Sequence, residues 1–232
     1  MSIRIREVSD LGPVSFQKHK GSRSIKIHIQ GSKIKVTLPG GIPYIVAEKY
    51  LLTKKDWVLR NLSKEVAITN GSFIGKNHQV VFLEKATDKL STRVTSNKII
   101  VYIGANTNTS SVDNQSVIRS ACERALKKET QEIILPRLQD MALENGFFVK
   151  NVFAKKLRSR WGSCDSHKNI ILNIFLAQLP WRLIEYVMVH ELAHTKHLNH
   201  SPNFWQEVEI LLPDYKTRRK EIKAFSPDII NS

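Results

Sequence analysis

His190-Glu191-Leu192-Ala193-His194, followed six residues later by His200, decides how this chain is read. On a helix, residues i and i+4 lie about one turn apart on one face, so His190 and His194 present two imidazoles to one point, as a shared metal ion requires. Glu191 is held beside that point, where it can take a proton from a water. The flanking Leu183, Ile184, Val187, Met188, Val189, Leu192 and Ala193 make the helix apolar. Unpaired polar groups in such a setting are costly, so two imidazoles and a carboxylate there ask for partners. A bare His-x-x-x-His spacing is more often incidental. The intervening Glu and the apolar helix turn it into a zinc site, and point to a hydrolase, foremost a peptidase.

The third ligand is a question of geometry. On a continued helix His197 would stand about 10 Å along the axis from His190. Nitrogens at about 2.0–2.1 Å from one tetrahedral zinc sit only about 3.3 Å apart, so a straight helix cannot offer all three. The helix must break first. Asn199 can take a left-handed, helix-ending conformation, Ser201 is a good N-cap, and Pro202 suits the first position of the next helix. His200 therefore sits at a bend that can return it to the metal, and His197 lies outside the ligand set. The next helix carries Phe204, Trp205, Val208, Leu211 and Leu212 as a core stripe that buttresses the bend, and Pro213 closes it.

Arg160-Trp161-Gly162-Ser163-Cys164, Leu179-Pro180, the His190–His194 motif, Asn199-His200-Ser201, Phe204-Trp205 and Pro213-Asp214 follow one another in order. In these motifs the chain resembles the YgjP-like metallopeptidases, a bacterial and archaeal group akin to the SprT-like and WLM zincins. The resemblance is dense from about Arg158 to Lys223 and looser over the N-terminal half. It implies His190, His194 and His200 as zinc ligands and Glu191 as the catalytic glutamate, in agreement with the geometry. Thr195-Lys196-His197 departs from the more apolar residues common in relatives, which bears on the polarity of the helix end. A metzincin is disfavoured: His197 stands where that group has glycine, and no Met follows the site.

Composition fits. A chain of 232 residues allows one large domain or two smaller ones. Met1-Ser2-Ile3-Arg4-Ile5-Arg6-Glu7 has no apolar leader, no run of about eighteen apolar residues occurs, and Cys122 and Cys164 form no C-x-x-C pair. The expectation is a cytoplasmic protein with no membrane segment and no disulfide framework. Net charge is +15, and residues 1–60 hold twelve basic against four acidic residues. A solvated basic face explains this most simply; nucleic acid is the sharper alternative partner. No zinc knuckle, helix-turn-helix or aromatic RNA-binding motif accompanies it.

The first half reads as β-rich. Arg23–Ile29 and Lys33–Leu38 alternate apolar and polar residues, with Gln30-Gly31-Ser32 as a turn between them. Gly40-Gly41 leads to a helix over Pro43–Leu62, and strands are expected at Gln79–Leu83, Ser91–Val94 and Lys98–Ile103. Ala105–Gln115, rich in Asn, Thr, Ser and Asp, reads as a linker before a long helix over Val117–Asn145 bent at Pro136 and stopped by Gly146. No repeat is read. The expected class is α+β: a β-rich region 1–108 with one helix, then a zincin-like metallopeptidase domain 109–232 with its active-site helix beside a small sheet.

Val149–Phe153 and Ile170–Phe175 read as strands flanking Arg158–Cys164. An edge strand beside such a helix can align an extended peptide by main-chain hydrogen bonds. The resemblance puts Arg160, Trp161, Gly162 and Ser163 at that rim as substrate-binding residues, although Trp161 as core and Gly162 as a close backbone approach are equally good readings of those two. Cys164 reads as a small buried residue. Tyr215, Arg218 and Arg219 are candidate oxyanion donors. Two other functions remain open: a metal-dependent hydrolase of nucleotide phosphoanhydrides, and a non-enzymatic zinc-containing adaptor. The first lacks a Gly-rich phosphate loop and a carboxylate cluster for Mg²⁺, and the second leaves Glu191 without a role.

Overall fold

A computed structural model describes residues 3–30, 33–61, 67–86 and 89–228. It is α+β, and its contacts divide the chain into two compact units, Met1–Val66 and Ala67–Ser232. The expected boundary at 108/109 instead falls inside the second unit, whose apolar core joins residues from Ile68 to Ile222. A polar run such as Ala105–Gln115 marks a surface connection as readily as a domain boundary.

In the first unit, β1 (Ile3–Val8), β2 (Gly12–His19), β3 (Lys26–Gln30) and β4 (Lys33–Pro39) form a sheet of order β1-β2-β4-β3. The period-2 pattern sends Val14 and Phe16 of β2 and Ile34, Val36 and Leu38 of β4 to one face, where they are buried with Ala47, Leu51 and Val58. The expected single helix over Pro43–Leu62 is two, α1 (Tyr44–Thr53) and α2 (Lys55–Asn61). The Thr53 hydroxyl donates to the Tyr50 carbonyl at 2.8 Å, a local bond that competes with helix continuation. Leu62 and the turn residues Gly31 and Ser32 lie outside the described residues.

The second unit opens with β5 (Phe73–Ile74), β6 (His78–Glu84), β7 (Ser91–Val94) and β8 (Lys98–Ile103), in the order β5-β6-β8-β7. This repeats the first sheet's topology: an antiparallel first pair, a parallel central pair and an antiparallel last pair. The register repeats as well. Val14 faces Ile34 as Val80 faces Ile99; Phe16 faces Val36 as Phe82 faces Val101; Ile27 faces Val36 as Thr92 faces Val101. The repeat escapes a reading by residue identity because a register needs only apolar character at alternate positions.

α3 (Val112–Glu129) covers this second sheet. It starts earlier than expected because Ser111 caps it, its hydroxyl accepting from the Asn114 N–H. The helix then widens into a π turn over Thr130–Ile134 before α4 (Leu135–Glu144), rather than simply bending at Pro136. Pro136 supplies no N–H to the regular ladder, and the Thr130 hydroxyl bonds the carbonyls of Leu126 and Ile174. Gly146, at φ 67, stops the chain turning.

β9 (Asn151–Lys155), β10 (Gly162–Cys164) and β11 (Asn169–Asn173) form a three-stranded sheet of order β10-β11-β9, so β10 is an edge. The expected strand Ile170–Phe175 ends at Asn173, whose side chain accepts from the Phe175 N–H and starts a 3₁₀ turn. Three further helices, α5 (Trp181–Ala193), α6 (Pro202–Leu211) and α7 (Tyr215–Glu221), complete the unit. No helix among the described residues is long and apolar enough to cross a membrane.

Candidate metal centre

α5 buries Leu183, Ile184, Val187, Met188, Val189, Leu192 and Ala193, as its apolar sequence requires. It ends at Ala193, and Thr195 closes it: its N–H and its hydroxyl both bond the Leu192 carbonyl. The break thus precedes the third histidine, as expected, but not through Asn199. Among the described residues other than glycine only Asp10 and Lys168 have positive φ. The chain re-enters a helix at Ser201, whose hydroxyl accepts from the Phe204 N–H, with Pro202 in the first turn of α6.

This path brings one ring nitrogen each of His190, His194 and His200 within 4.8 Å of one another. His190 Nε2 and His200 Nε2 are 3.1 Å apart, close to the roughly 3.3 Å expected of two ligands on one tetrahedral zinc. His194 Nδ1 lies 3.0 Å from the His197 carbonyl, a bond that fixes the ring and leaves Nε2 free to ligate. His197 therefore enters the centre through its backbone, and its imidazole is not part of the cluster.

Around these rings Phe204 and Trp205 form an aromatic wall. Phe204 lies 4.5 Å from His194 and 4.8 Å from His200, and Trp205 stacks on His200 at 5.5 Å. Burial holds the His190 imidazole down to about 3, assisted by His194, His200 and Arg219, so it is a neutral ring. Burial pushes Glu191 the other way, to about 8, against the charge of Arg160. His190 Nδ1 and Glu191 Oε2 are both buried without a hydrogen-bond partner. Buried polar atoms in folded proteins are nearly always bonded, so the open Glu191 oxygen beside three converging imidazoles fits a site completed by a cation and its water.

β10 provides the opposite wall. A Cβ built on Gly162 would meet Glu191 Cγ and Oε1 at 2.7 Å, so the strand backbone rests on this carboxylate and only glycine leaves it room. Gly162 is thus a close backbone approach. Trp161 packs half-buried against the core, Ser163 pairs with Ile171, and Arg160 is exposed. The segment is clamped by Asn173, which the sequence reading missed. Fully buried, its amide donates to the carbonyls of Leu157 (2.9 Å) and Arg160 (2.8 Å), and its backbone N–H to Trp161. Cys164 is half-buried, its thiol pushed up to about 11 by desolvation and then by Glu191 and Asp165.

The three candidate oxyanion donors separate. Tyr215 is buried and stacks on Trp205 at 5.3 Å. Arg218 is tied to Asp214, Glu185 and the Arg182 carbonyl. Arg219 is exposed, with its guanidinium 4.4 Å from the Trp205 ring centre.

The family model described as the YgjP-like, metallopeptidase domain matches residues 23–225. No curated protein matches the chain. Among solved structures, the metallopeptidase zymogen of Pyrococcus abyssi, abylysin, is 24% identical and matches over 40% of this chain and 93% of its own, with a TM-score of 0.37. The metallopeptidase zymogen of Methanocaldococcus jannaschii, jannalysin, is 19% identical over 40% of this chain and 96% of its own, with a TM-score of 0.36.

Proposed function

This chain belongs to the YgjP-like metallopeptidase family, and from that premise we propose that it is a zinc-dependent peptidase with His190, His194 and His200 as metal ligands and Glu191 as general base. One observation carries the reading: three imidazole nitrogens within 4.8 Å, beside a buried carboxylate whose outer oxygen has no partner. Three imidazole nitrogens are a catalytic donor set that suits zinc and keeps a coordination position open. Zinc held there supplies Lewis acidity, lowering the pKa of a water toward about 7 and polarising the scissile carbonyl.

The protein's own groups perform the rest. Glu191, set against the Gly162 backbone, accepts the proton of the attacking water and passes it to the leaving amine. The free edge of β10 aligns the peptide main chain, with Arg160 and Ser163 reaching the substrate. Gly162 and Trp161 serve that edge indirectly, one by clearing Glu191 and the other by anchoring the strand to the core.

Metal analysis tests the ligand set. Protein purified without chelators is expected to carry close to one zinc per chain. His200→Ala loses most of it, whereas His197→Ala keeps it, because His197 contributes a carbonyl that alanine retains. Zinc retained in His200→Ala and lost in His197→Ala would reverse the assignment. Screening peptides and nucleoside triphosphates, with and without chelator, separates a peptidase from a phosphoanhydride hydrolase and from an adaptor.

A further inference from the structure

Arginines near the site fall into two groups. Arg218 is bound to Glu185 and Asp214, Arg182 to Glu221, and Arg137 to Glu185. These three hold α5 to α7 and to α4, and their charges are spent on carboxylates of the fold. Arg160 and Arg219 are exposed and make no ion pair among the described residues. Each nevertheless stands at the metal centre. Arg219 lies over Trp205, which stacks on His200 and is 5.9 Å from His190. Arg160 directly precedes Trp161-Gly162, and its carbonyl is held by Asn173, so it is fixed where β10 begins to run past Glu191.

A guanidinium presents planar, paired donors that match a carboxylate, and one lying on an aromatic face is already oriented. Two such groups, neither of them in a salt bridge among the described residues, stand one on the α7 side of the histidines and one at the start of the edge strand, and place positive charge on both elements. Arg160 interacts electrostatically with the Glu191 carboxylate without forming a salt bridge to it, and Arg219 has no acidic partner among the described residues. The overall charge of +15 adds a favourable long-range field for an anionic chain.

We infer that the site takes peptides bearing a carboxylate close to the scissile bond, recognised by Arg219 and Arg160. The inference rests on the peptidase reading and adds its substrate class. The carboxylate can come from an Asp or Glu side chain or from a free C-terminus.

Binding to zinc-loaded protein carrying Glu191→Gln tests this without requiring turnover. Three peptides of one length and sequence are compared: one with an internal Asp and an amidated C-terminus, one with Asn in its place and a free C-terminus, and one with Asn and an amidated C-terminus. At least one of the carboxylate peptides is expected to bind about tenfold or more tighter than the uncharged one, as charge-assisted pairing provides. Which of the two gains identifies the source. Adding Arg219→Gln or Arg160→Gln should erase most of that gain, bringing the carboxylate peptide's affinity to within about threefold of the uncharged peptide's on the same variant. Equal binding of all three peptides, or a preference that survives both substitutions, overturns the inference. So does an Arg219→Gln enzyme that loses kcat equally on all three with KM unchanged, which would make Arg219 an oxyanion donor. Failure of the wild type to cleave any peptide is read separately and counts against the peptidase reading, since the binding preference is measured on protein that need not turn over.

Discussion

The second unit contains two buried glutamates beside histidine, and they are satisfied very differently. Glu129 accepts from the backbone N–H groups of Lys76 (2.6 Å), Asn77 (2.8 Å) and His78 (3.2 Å), and lies 2.6 Å from His78 Nδ1. The other nitrogen of His78 reaches the Thr95 carbonyl at 3.1 Å, so the network closes on itself. Glu191 has an oxygen without a partner, and beside it His190 Nδ1 is equally alone. Each carboxylate is also abutted by a glycine: a Cβ on Gly75 would come within 2.2 Å of Glu129 Oε2, as one on Gly162 would within 2.7 Å of Glu191 Oε1. The same residue types thus build a closed clasp in one place and leave open hydrogen-bonding capacity in the other. What separates them is the hydrogen-bonding left over after folding.

The contrast can be broken by removing each carboxylate. Glu129→Ala strips four contacts from a buried, paired group and should cost about 3–5 kcal/mol of unfolding free energy. Glu191→Gln, where there is little pairing to lose, should stay within about 1 kcal/mol of wild type. Equal destabilisation of the two in denaturant titrations would erase the distinction.

The glycines sharpen it. Gly75→Ala meets both Glu129 and an unfavourable φ of 71, and should lower stability by about 1–3 kcal/mol. Gly162→Ala acts on geometry. Displacing Glu191 by about 1 Å should lower peptide hydrolysis by up to about 10²-fold, with zinc content kept and a smaller loss of stability. Calorimetry and metal analysis on the two variants check both halves. The smallest effect belongs to Cys164→Ala. Its thiol takes no part in the histidine cluster, so zinc stoichiometry should not change and stability should shift by about 1 kcal/mol.

These two sites were unequally legible. The cluster at His190 is written in local spacing: an i, i+4 pair, a Glu beside it, and the helix-starting pair Ser201-Pro202 just after His200. Its second layer is not. Asn173 and Gly162 act through backbone carbonyls and a clearance that appear only once β10 and β11 are paired. The clasp left no signal, since His78 and Glu129 are 51 residues apart and no motif links them. β3 and β4 are readable from period 2, and β6 and β8 from their short apolar runs, Val80–Leu83 and Ile99–Ile103. The hairpin of β1 and β2 went unread although Ile3 and Ile5, and Val14 and Phe16, alternate with other residues; its turn carries positive φ at Asp10 and Gly12 without an Asn-Gly or Asp-Gly pair to announce it. The division at Val66 depends on which core each sheet joins, a tertiary fact beyond the reach of a polar run such as Ala105–Gln115.

In the proposed mechanism Glu191 is a base beside the metal and contributes neither to holding it nor to holding the fold. Zinc content and peptide hydrolysis measured together on wild type and Glu191→Gln test it most directly. Zinc near one per chain is expected in both, with hydrolysis in the variant lower by about 10²–10⁴-fold, the usual contribution of general acid–base catalysis. A Gln variant that keeps its zinc and most of the wild-type hydrolysis would contradict it.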